Sequence, residues 1–148
     1  MRQSEAVQAH LNQLSIICGA IVSGVLVFAV VVWYLLSSGS MPPADLELPS
    51  WMGTLTNLVA LVALIKAVLL PRLIGAPAAG APEEAFISWH KKVTIVGFAL
   101  RDGATLIALV GAMLTGQLAG AAVLVGLAVL SMVMAWPRAD QMGKAGSA

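Results

Sequence analysis

Two adjacent ionisable residues, Arg101 and Asp102, lie inside VTIVGFALRDGATLIALVGAML (residues 93–114), a stretch that is otherwise uncharged. An acid and a base at such a place offer three kinds of chemistry. They can bind a proton or cation, dock a partner's membrane helix, or hold neighbouring helices together. If a helix enters hydrocarbon near Val93, Asp102 lies about 14 Å deeper at 1.5 Å per residue, close to the midplane. A charge at that depth costs about 2.5–3.5 kcal/mol on insertion scales. Adjacent helical residues point about 100° apart, so the pair does not neutralise itself. Arg101 is long enough to lean toward the N-terminal end of its helix; Asp102 is not. The candidate partners for Asp102 are Thr94 and Thr105 on its own helix, Ser23, Asn57, Lys66 and Ser131. The alternative is a protonated carboxyl.

Other reactive side chains are few. His10 and His90 fall at similar depth near the starts of two helices, a placement that would suit ligation of a haem from two sides, but interfacial histidines are common and nothing else favours a haem. Cys18 is the single cysteine, which excludes a disulfide framework and a paired-thiol redox site and leaves a small packing residue. Lys91-Lys92 is a membrane-flanking pair. No phosphate-binding glycine loop, Ser-His-Asp set or metal-ligand cluster is present, so no enzyme activity, metal or cofactor is expected. A small multidrug transporter would carry its acid in the first span, which has none.

The elements that must position Arg101 and Asp102 follow from composition. Of 148 residues, 59% are hydrophobic and 10% charged, against about 25% charged in soluble domains. Mean hydropathy is +0.93. Eight basic and seven acidic residues give a net charge of +1, too little for a nucleic-acid footprint. The chain reads as one all-α membrane domain, residues 1–148, with four transmembrane spans at about 14–36, 51–70, 93–114 and 118–136. The first span is longer than a signal-peptide core and no A-x-A site follows, so a retained span is expected rather than a leader.

Prolines 42, 43 and 49 break the chain after span one. Pro71 closes span two, and Gly75 to Pro82 make a linker. Pro82, Glu83 and Glu84 look like a helix first turn, and helix one is expected to start near Ser4. Thr115-Gly116-Gln117 leaves room only for a tight turn, so the four helices are expected as two hairpins. Arg2, Lys66, Arg72, Lys91, Lys92, Arg138 and Lys144 fall on one side, while Asp45 and Glu47 fall on the other. Both termini and the middle connection are therefore expected to be cytoplasmic. Trp33, Tyr34 and Trp51 would mark the outer interface, and Trp89 and Trp136 the inner one.

Lipid is as apolar as leucine, so such helices associate through small residues and buried polar contacts. Ala104, Ala108, Ala112 and Gly116 recur every four residues on helix three. Ala122 and Gly126 do so on helix four, and Ala20 with Gly24, and Gly19 with Ser23, on helix one. These stripes are expected to pack the bundle; the sharper reading is assembly of further copies.

FALRDGATLIALVGAMLTG (Phe98 to Gly116), followed by a span ending in Trp136-Pro137-Arg138, resembles a group of small, uncharacterised four-helix bacterial integral membrane proteins. The first span, IICGAIVSGVLVFAVVVWYLL, resembles that group's opening helix. The resemblance implies an inner-membrane protein with no assigned chemistry. An acid after Ala99-Leu100 is also similar to the proteolipid (c/K-type) subunits of rotary ATPases, which implies an ion-binding carboxylate at Asp102. Three features depart from that pattern: the acid precedes the hairpin turn, the turn is uncharged, and Arg101 adjoins the acid. Two functional expectations follow. The first is a structural or accessory subunit, or a homo-oligomeric assembly component, without chemistry of its own. The second is a proton- or cation-translocating protein that uses Asp102.

Overall fold

The computed structural model describes residues 5–40, 48–49, 51–78 and 80–138, and the expectations that fall on Arg2, Ser4, Pro42, Pro43, Asp45, Glu47 and Lys144 lie outside them. The described chain is all-helical: α1 (Glu5–Ser37), α2 (Met52–Ile74), α3 (Glu83–Thr115) and α4 (Leu118–Met134). Three of these, α1, α2 and α3, are long and apolar enough to cross a membrane. The fourth has 17 residues, about 25 Å at 1.5 Å per residue against roughly 30 Å of hydrocarbon. It stops before Trp136, the residue ahead of Pro137, which disfavours helical backbone; the Trp136 ring turns inward onto Phe98, with centroids 6.4 Å apart.

Local sequence explains most helix ends. Pro82 caps α3, with Glu83 and Glu84 in its first turn, where acids meet the positive end of the helix dipole. Gly116 ends α3 at φ 71°, its N–H bonded to the Ala112 carbonyl; that left-handed conformation favours glycine. Pro71 does not close α2, which runs on to Ile74. Pro71 gives up its own N–H bond and crowds the carbonyl one turn back, yet the helix continues for three further residues, where Arg72 suits the negative end of the dipole.

The bundle is organised around α3, which packs against α1, α2 and α4, while α1 and α2 scarcely touch among the described residues. His10 meets His90 at one end of α1 and α3, and Leu36 packs near Ala108 and Ala112 at the other. α1 therefore runs alongside α3. A Cβ on Gly111 would strike Thr56, and one on Gly97 would touch Leu70, so α2 runs the opposite way. These glycines let α2 and α3 approach closely. Ala60, Ala108, Ala112 and Ala121 fill the resulting seam, with Leu64, Ala104 and Ala128 beside it. A second cluster, Cys18, Val25, Phe98 and Met132, joins α1 to α3 and α4. Outward faces are apolar and exposed, among them Ile16, Val27, Val30, Leu58 and Val68, as lipid contact requires.

Candidate functional site

The small-residue stripes separate into two roles. Ala104, Ala108 and Ala112 are buried within the bundle. Gly116 is a helix cap rather than a packing position. Ala122 and Gly126 are exposed and lie along an open apolar groove of about 580 Å³, shared with Leu26, Val30, Trp33 and Leu109.

Arg101 and Asp102 part company. The Arg101 side chain folds back along α3, bringing Nη1 beside Gly97 and its guanidinium carbon to 5.9 Å from the Phe98 ring centre. It leans in the expected direction but stays inside, 7% exposed. Its Nε–H donates to the Ser131 Oγ at 2.9 Å, and the Ser131 hydroxyl in turn donates to the Ala128 carbonyl at 2.8 Å. This chain ties the middle of α3 to α4. Ser131, a candidate partner for Asp102, is thus the partner of Arg101.

Asp102 sits at the rim of the packed face. One turn away, Phe98 and Thr105 are buried, whereas Ala99 and Leu106 are exposed. Its own side chain is partly exposed. The Thr105 hydroxyl donates to the Asp102 backbone carbonyl at 2.7 Å, not to the carboxylate. None of the other candidates reaches it. Ser23 and Lys66 are exposed, and Asn57 faces Gly120 of α4, where a Cβ would strike its amide. Among the described residues, the Asp102 carboxylate has no hydrogen-bond or ion-pair partner.

At the end of the bundle where α3 begins, His10 and His90 are both buried with ring centroids 5.8 Å apart, edge to face. Their similar depth in the sequence was the signal for this contact. Among the described residues no group of three or more metal-ligating side chains assembles. Beside His90, a slot of about 280 Å³ runs between α2, α3 and the end of α4. Thr94 and Arg101 line it with Trp89 and His90, a polar grouping the sequence did not suggest, because the inward fold of Arg101 creates it. No protein family, curated protein or solved structure is found to match this chain.

Proposed function

We propose that this chain is a small integral membrane protein without chemistry of its own that serves as an assembly component, joining further copies of itself or a larger membrane complex. The observation that carries this reading is Asp102: a partly exposed carboxylate on the third apolar span, with no partner on its own chain among the described residues. A polar group so placed is stabilised by a neighbour's donor. The exposed small residues Ala122 and Gly126 offer a close approach to the same neighbour. Native mass spectrometry of gently solubilised membranes tests it. A multimer or stable complex that dissociates in Asp102→Leu is expected; a lone monomer counts against it.

In this reading α1–α2 and α3–α4 are two membrane hairpins, α4 also spanning, in a cell inner membrane. Arg72, Lys91, Lys92 and Arg138, all exposed, mark the cytoplasmic side, where both termini lie. Reporter fusions at the C-terminus check the orientation.

A second reading draws on the same rim position. A carboxylate open to the side of the bundle is accessible to a proton or cation, so Asp102 would serve translocation. Asp102→Asn would then abolish ion flux in proteoliposomes with folding intact, and a hydrophobic carbodiimide would label Asp102. Equal flux through wild type and variant would refute it.

A further inference from the structure

We propose that the slot between α2, α3 and the end of α4 binds a phosphate group, with Arg101 pairing its charge. This inference is independent of the role given to Asp102. The slot is walled by apolar side chains such as Ala67 and Phe98, and its polar lining comes from Trp89, His90, Thr94 and Arg101. Each of those groups is able to donate a hydrogen bond, and no acid lines the slot. The pattern suits an acceptor, and the Arg101 charge disfavours a cation.

Arg101 supplies the charge. A guanidinium stays protonated and carries five donors in a flat fork that matches phosphate oxygens. Ser131 takes one donor, and the Phe98 ring offers a weak electrostatic contact. Both partners are neutral. A buried charge without a counter-charge is costly, and Asp102 points elsewhere on the helix. Trp89 adds a second observation: its indole N–H is buried without an acceptor, and indole is a donor only.

Position selects phosphate among the anions. From Trp89 to Arg101 the lining residues span twelve positions of α3, about 18 Å along its axis. The slot therefore reaches from the end of the bundle toward its middle. Exposed Arg72, Lys91 and Lys92 lie toward that end and raise the local anion concentration. Lipid phosphates lie level with the outer end of the slot, toward which the Arg101 side chain folds back, so the group enters from that end, either on a lipid head or as free phosphate from the aqueous phase.

The test uses the full chain in phosphatidylcholine nanodiscs, with wild type, Arg101→Gln, Trp89→Phe and the rim variant Lys91→Gln/Lys92→Gln. Native mass spectrometry reads retention of added phosphatidylglycerol; titration calorimetry reads inorganic phosphate. Selective retention of phosphatidylglycerol by wild type, lost in Arg101→Gln and weakened about tenfold in Trp89→Phe, supports a lipid source. Saturable phosphate binding with the same dependence supports a free source. If Arg101→Gln fails to fold, Trp89→Phe decides, because Trp89 is outside the Arg101–Ser131 link. The proposal is overturned if wild type shows neither kind of binding. It is equally overturned if binding survives undiminished in Trp89→Phe, or is lost only in the rim variant.

Discussion

Replacing Ser131 by alanine removes the acceptor that lies 2.9 Å from the Arg101 Nε. Arg101 is buried and its Nε–H faces α4, so the freed N–H is left without its acceptor. Leaving a buried donor unpaired costs about 1–3 kcal/mol, more when the group is charged. Measured interhelical hydrogen bonds in membranes average about 0.6 kcal/mol and reach about 1.7 kcal/mol. The two ranges overlap at about 1–2 kcal/mol for Ser131→Ala. In an Arg101→Met background the same change should cost almost nothing, because the serine hydroxyl then bonds only the Ala128 carbonyl of its own helix. Arg101→Met alone should be neutral or stabilising, since it removes a buried charge of which the bond to Ser131 offsets only part. Unfolding the four chains of this cycle in mixed micelles with increasing sodium dodecyl sulfate, followed by helical circular dichroism, gives the coupling directly. Equal cost of Ser131→Ala in both backgrounds would refute the link between α3 and α4.

Three further outcomes use the same unfolding assay. Gly111→Ala should destabilise by about 1–3 kcal/mol by overpacking, because the new Cβ meets both the hydroxyl and the Cβ of Thr56, a side chain stiff at χ1; no loss would show that α2 and α3 approach less closely. Gly120→Ala should cost less, because the atom it meets first is the amide nitrogen of Asn57, which can swing aside; a larger loss than at Gly111 contradicts this. Gly116→Ala places a Cβ at φ 71°, for about 1–2 kcal/mol, and Gly116→Asn should be milder; equal stability of all three chains would deny the left-handed cap.

The start of α3 was legible because Pro82, Glu83 and Glu84 signal a helix start locally, and the tight turn after it because so few residues separate the last two apolar runs. Pro71 misled, because a proline disfavours a helix without forbidding it, and α2 runs only three residues beyond it. The stop of α4 near Met134 was legible from Pro137, but the inward turn of Trp136 onto Phe98 is a tertiary contact without a local signal. The buried polar link was half legible. Ser131 stood among the candidates, but for the wrong residue, since length alone suggested that Arg101 would reach toward water. Gly97, one turn before it, leaves the room in which the guanidinium folds back. The rim position of Asp102 was not readable, because it depends on which face of α3 the other three helices cover.

The central claim is that Asp102 meets a neighbouring chain, and cysteine cross-linking beside it in native membranes tests this most directly. Leu106 is exposed one turn from Asp102, so Leu106→Cys in a Cys18→Ala chain leaves the carboxylate intact. The account predicts that a benzophenone maleimide attached to that thiol, which inserts into any neighbouring C–H bond on illumination, joins this chain covalently to a second copy or a partner subunit, and that adding Asp102→Leu lowers the yield sharply. A chain that stays monomeric under complete maleimide modification would contradict it.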